Sequence, residues 1–429
     1  MVKVTSKKKS LFNTSMLTYL TNKLQKLNSV SKSKEYNKQD KQGGSSMDRF
    51  NEVIKKIRKN ESIFEVGNGE KICINNSRLS SSGNTTNEKR SSFHGINAGI
   101  LAKESANVDI KNSMITTTGK GANAAFSYGE GSLIDIDNVI IKTKGNFANG
   151  LSAGSRGTIQ AHDISINTEG ENSAAIAVYS ENGIIDVSNA TGLCEGNNSP
   201  CIYSKGNIVI TDSNLKTEKS PGAIVEGSSL VMNNTAIKSK ESYGVMLYEK
   251  NEKNEEIGKC VFTSTLGSIS AGKGALFYVT NTEAIVTLFN TKLNPSITSN
   301  ILVNACKDKW GIEGSNGGIL NLIGDHQTLR GDILCDELSS VNMNLKEYTY
   351  FTGIINERNK GTVNISLDST SVWTLTGNSY IESLSDENKE LKNIVDNGYS
   401  IYYNAQNENN KWLDSKVHIL SGGGKLIPA

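Results

Sequence analysis

The side chains best suited to chemistry here are Asp109, Asp135 and Asp137, the four histidines and the six cysteines. Two carboxylates close together on one face can hydrolyse a glycosidic bond. Several carboxylates with a basic neighbour can bind calcium and abstract a proton, the chemistry of a lyase. In this sequence each of the three aspartates is flanked by Val or Ile in an alternating pattern, where an acid ordinarily faces water. His94, His162, His326 and His418 stand apart, without the spacing of metal ligands. Cys194 and Cys201 lie close together in CEGNNSPC, so a small disulfide loop is a candidate. The alternative is packing as small apolar groups, which is the reading for Cys73, Cys260 and Cys335 beside apolar strand residues. There is no CxxC pair, nucleophile elbow or phosphate-binding loop in a suitable context. The expectation is therefore no catalytic residue, no cofactor and no metal.

The elements that carry these residues repeat. INNSRLSSSG from Ile74 aligns with IKNSMITTTG from Ile110, IDNVIIKTKG from Ile136 and AHDISINTEG from Ala161. ITDSNLKTEK from Ile210 and MNNTAIKSKE from Met232 continue the series, and VSNATGLCEG is a looser copy. One polar position recurs as Asn76, Asn112, Asn138, Asp163, Asn189, Asp212 and Asn234, at intervals of 36, 26, 25, 26, 23 and 22 residues. The first interval is long because GNTTNEKRSSFHG is inserted. Val, Ile and Thr alternate with polar residues over four or five positions, which is strand behaviour. Units of this length with about three short strands each predict an all-β solenoid. The fold expected is a right-handed parallel β-helix with coils of 21–26 residues. Its recurring Asn and Asp would stack in a structural ladder at one corner.

The copies LNLIGDH, VNMNLKE and VNISLDS, from Leu320, Val341 and Val363, extend the coils to about residue 385. Residues 386–429, with Tyr399, Tyr402, Tyr403 and Trp412, read as last coils and a cap. At the other end, Phe50, Val53, Ile54 and Ile57 have helical spacing, predicting a capping amphipathic helix over 47–61 and the β-helix over 62–385. Residues 1–46 read as a basic, disordered tail with ten Lys against Glu35 and Asp40, and with Leu17, Leu20, Leu24 and Leu27 at helical spacing. The chain carries +2 overall, so the remainder is net acidic and a poor partner for nucleic acid. LFNTSMLTYL is short and polar for a signal peptide, and no segment has the length and apolarity of a transmembrane helix.

Ser371–Leu384, SVWTLTGNSYIESL, resembles the S-x-W-x-L-T-G-N-S-x-I-x-x-L segment of the last coils of bacterial autotransporter passengers of the pertactin kind. GDHQTLRGDI and LSGGGKLIPA are similar to other bacterial surface β-helices of the wider pectin-lyase-like class. The resemblance covers roughly residues 62–429. It implies a surface or extracellular adhesin, although no export signal is recognised and no translocator barrel lies within the sequence, so an intracellular place stays open. The pectinase signatures NTD, adjacent DD and RIK are absent. The functional expectation is a monomeric, non-enzymatic protein making multivalent contacts with a protein or glycan. Candidate surfaces are the loop 83–94, CEGNNSPC and the insertion 249–259. The alternatives are a carbohydrate-active lyase or hydrolase, and an intracellular scaffold. Arg330-Gly331-Asp332 reads as a turn within a coil.

Overall fold

Alternating apolar and polar residues give each short segment one face to bury, and the copies one coil away bury it. The computed structural model describes residues 48–429 apart from residue 181 and residues 251–258. The expectations for residues 1–46, and the middle of the 249–259 insertion, lie outside the described residues. Within 48–429 the chain is a parallel β-solenoid. Every strand pairing is parallel except His418–Ile419 against Lys425–Pro428. A 21-stranded sheet and an 11-stranded sheet run along the stack, and two four-stranded sheets belong to its C-terminal part.

The register places like on like. Ile141 sits between Ile115 and Ile166, and Ile134 between Val108 and Ile159. These side chains are almost wholly buried in one continuous core, each worth about 1.5–3 kcal/mol relative to exposure. Hence a coil gains most of its stabilisation from its two neighbours.

Each corner of the large sheet turns on one residue in the left-handed region. Seven of these corner residues, Asn76, Asn112, Asn138, Asp163, Asn189, Asp212 and Asn234, have φ between 44° and 53°. Asn and Asp tolerate this conformation better than other residues with a Cβ. Their side chains link in short runs. Asn138 Nδ2 donates to Asn112 Oδ1 at 2.9 Å, Asn189 donates to Asp163, and Asn234 donates to Asp212 at 2.6 Å. Asn112 reaches sideways to Asn75. A carboxylate has no N–H to pass on, so the chain of amides stops at Asp163 and at Asp212. Just inside the corner, Ser113 Oγ accepts from Ser77 N and Ser213 Oγ accepts from Ala190 N, satisfying backbone groups the sheets leave over. On the outside of the later coils, Asn364 donates to Asn342, and Asn342 to Asn321, at 2.9 and 3.0 Å.

The helix expected over 47–61 is not formed. Arg49–Phe50 and Val53–Lys56 are strands, paired with Lys71–Asn75 and Arg78–Ser81. Asn51, at φ 58°, divides them as Asn76 divides the next coil. Ile54 packs on the core, whereas Phe50, Val53 and Ile57 are 53%, 70% and 78% exposed. The helical spacing was thus a by-product of a shortened copy of the repeat. The described α-helix lies instead in the inserted loop, at Glu88–His94. Asn87 caps it by accepting from Arg90 N, and Gly95, at φ 71°, ends it.

At the C-terminal end a 3₁₀ helix, Glu408–Leu413, packs on the last coils, where Trp412 Nε1 donates to Leu384 O at 3.0 Å. Leu413, Leu420 and Leu426 are buried there, and Tyr403 donates its hydroxyl to Lys416 O at 2.9 Å. Trp373 is buried against Phe351 with ring centres 6.1 Å apart, while Tyr399 is exposed. Among the described residues no helix is long and apolar enough to cross a membrane, a statement that leaves strand-built crossings aside.

Candidate functional site

The outer face of the small sheet is unusual because most of it is covered. Its strands contribute outward residues in one register column: Phe126, Ser152, Ala177, Tyr203, Ile224, Met246 and Tyr278. At one end the Glu88–His94 helix lies over this column. Phe93 meets Tyr179 edge-on at 6.1 Å, and His94 meets Tyr128 at 5.1 Å. At the other end, Trp310 packs on Tyr248 at 4.6 Å, and Tyr243 stacks on Tyr278 at 4.5 Å. Tyr179 and Tyr203 lie 4.9 Å apart and extend the first end toward the second. Aromatic rings from seven parts of the chain thus line this face along the stack.

In the middle of the band lies Glu226, 2% exposed. It accepts the hydroxyls of Tyr203 and Tyr248, the latter at 2.9 Å, and Lys205 Nζ lies 2.9 Å from its other oxygen. Burial and then the Glu226 charge push both phenols well above their usual range. Tyr179, which donates to Asn149 Oδ1, is pushed up to about 12 by burial. These tyrosines are therefore neutral hydrogen-bond donors at any physiological pH. Tyr278 donates to Asp308 at 2.7 Å, and Lys309 sits over the Trp310 ring at 4.7 Å. Each of these hydroxyl protons is already given to Glu226, Asn149 or Asp308, so what the band can offer a ligand is its ring faces. No sequence pattern pointed to it, because the rings meet only after the two loops fold back over the sheet.

The three aspartates lie on the outer face of the large sheet. Asp109 and Asp135 are direct register partners, with Gln160 and then Asp186 continuing the column. Asp137 belongs to the adjacent column, between Lys111 and His162. Asp109 lies 3.3 Å from Lys111 Nζ. Crowding by neighbouring strands, and then the Asp109 charge, raises the Asp135 carboxyl, although its tip is exposed and water screens much of that effect. The structure therefore brings Asp109 and Asp135 together and sets Asp137 beside a histidine.

That histidine is His162. One carboxylate oxygen each from Asp137 and Asp163, with a ring nitrogen of His162, lie within 4.8 Å of one another. These residue types can hold a metal ion. The sequence shows no such spacing because Asp137 and His162 are joined by register rather than by a local motif; aligning the repeats would have revealed it. The other histidines stay separate. His94 lies on Tyr128, His326 beside Asp325, and His418 against Leu413 O.

Cys194 and Cys201 are free, fully buried thiols. Cys194 occupies a column otherwise held by Thr143, Thr168 and Thr217. The surrounding segment does not project as a binding loop: Ser199 is buried and donates to Gly170 O at 2.9 Å. Asp332 accepts from Ile354 N and Gly331 turns at φ 111°, so Arg330–Asp332 is part of the stack.

No family model matches the sequence, and no curated protein is significantly similar to it. The class that fold and site define is a parallel β-solenoid with one aromatic, loop-covered face.

Proposed function

We propose that this solenoid is a non-enzymatic, adhesin-like binding protein that holds an extended glycan along the aromatic band. The observation that carries the reading is the row of rings from Phe93 through Tyr179 to Tyr203, linked by Glu226 to Tyr248 and Trp310. A chain ligand lying along the stack meets rings at several coils, so weak contacts add as multivalent ones do. Contact of this kind needs no metal and no cofactor. In this reading the protein acts as a monomer at the cell surface or outside the cell, in keeping with the resemblance of Ser371–Leu384 to surface β-helices, and nucleic acid is not its partner.

Titration calorimetry against soluble pectin, alginate and glycosaminoglycans tests the proposal, with ultraviolet absorbance followed for unsaturated products. The expected result is binding without turnover, weakened at least about tenfold by Trp310→Ala or Tyr179→Ala. A panel that contains no ligand overturns the glycan assignment. A second reading, a carbohydrate-active lyase or hydrolase, draws on the adjacency of Asp109 and Asp135. Product formation abolished by Asp135→Ala would establish it in place of the first. Cell fractionation of the tagged chain separates a surface protein from an intracellular scaffold.

A further inference from the structure

We infer that Asp137, His162 and Asp163 form a binding site for a single zinc-class divalent ion at one corner of the stack. The inference is independent of the aromatic band, since it rests on the large sheet.

The three donor atoms converge from two coils. Asp137 and His162 are register partners in Leu133–Thr143 and Thr158–Thr168, and Asp163 is the corner residue that follows. One imidazole with two carboxylates is a set that suits zinc, whereas calcium and magnesium favour oxygen alone. Zinc bonds of 2.0–2.1 Å place tetrahedral donors roughly 3.4 Å apart. The present spread, within 4.8 Å, needs only a small closure of half-exposed to exposed side chains.

Both flanking groups are already oriented. Nδ1 of His162 lies 2.9 Å from Ser188 Oγ, and Nε2 lies 3.2 Å from Asp163 Oδ2. With Nδ1 as the donor to Ser188, the Nε2 lone pair faces Asp163. The other oxygen of Asp163, Oδ1, accepts from Asn189 Nδ2. Second partners of this kind fix ligand geometry in metal sites. An ion between Nε2 and Oδ2 would be ligated by both atoms.

The corner column adds a physical reason for the site. Asn138 passes its amide to Asn112, and Asn189 passes its amide to Asp163. Between Asn138 and Asp163 no amide is passed on, because Asp163, like Asp212, is a carboxylate. Of these two breaks, only the one at Asp163 has a histidine directly before it.

Zinc titration of the untagged full chain by calorimetry tests the site, with calcium as the comparison ion. One zinc per chain is expected, with a raised melting temperature and no competition from calcium. His162→Gln and Asp163→Asn should each weaken zinc binding at least about tenfold. Asp163→Asn also restores an amide donor to the corner, so its metal-free melting temperature should be no lower than that of the parent. This variant therefore separates ligation from folding. Absence of zinc binding, or parental affinity in either variant, overturns the site.

Discussion

A carboxylate behaves according to what touches it, and two in this molecule respond to pH in opposite senses. Asp396 is buried, which opposes its charge, but it accepts backbone N–H groups from Gly422 and Gly424 at 2.6 Å each and from Gly398 at 3.2 Å. The bonds win, and its carboxyl is held below the usual value of 3.8. A depressed acid contributes stability above its unfolded value that is lost as pH falls through the folded value. The C-terminal closure should therefore loosen below about pH 4. Hydrogen exchange of residues 420–426 between pH 3 and 6 checks this, and Asp396→Ala should cost at least about 2 kcal/mol at neutral pH. Asp135 has the reverse sign. Its raised carboxyl opposes folding when ionised, so Asp135→Asn should raise the urea midpoint at pH 7 and have no effect well below pH 4. Cys194 was legible as a small core residue, but its column was not. Because its neighbours there are threonines, Cys194→Thr should change stability by less than about 1 kcal/mol, measured by urea unfolding.

At the scale of elements, corners decide what a segment becomes. Phe50–Ile57 satisfies a helical period as well as a strand pair, and eight residues cannot separate the two by apolar spacing alone. Asn51 separates them, since a left-handed residue breaks a helix and makes a corner. The stacking also sets a limit on backbone approach. A Cβ on Gly119 would fall 1.9 Å from Gly83 O, on Gly145 2.0 Å from Gly119 O, and on Gly170 2.0 Å from Gly145 O. Gly145→Ala should therefore cost more than about 3 kcal/mol, or abolish soluble expression. Gly398→Ala, at φ 82° with open space around it, should cost only about 1 kcal/mol. Thermal melts of the two variants side by side test that contrast. The glycines were visible as turn residues in the sequence. Their function as a vertical column was not, because contact between coils depends on register.

For the molecule as a whole, a repeat of twenty-odd residues with β-branched alternation was sufficient to indicate a parallel solenoid. What remained hidden shares one cause. The aromatic band, the Glu226 cluster and the Asp137–His162–Asp163 triad each unite residues from different coils or from loops laid across them. A one-dimensional period reports what resembles its own copy. It does not report unlike residues that become neighbours across the stack.

Val341 pairs with Val363 and Asn342 with Asn364, while Leu329, Phe351 and Trp373 share another column. Excising residues 342–363 would splice Val341 directly to Asn364 without shifting any inward or outward assignment. Asn364 would then meet Asn321, and Trp373 would meet Leu329. Length in such a molecule is modular: whole periods can be lost or duplicated in a single genetic event, while a cut of half a period inverts every face downstream. The excised protein should remain a soluble β-structure with a lower melting temperature, and removal of residues 342–352 alone should aggregate.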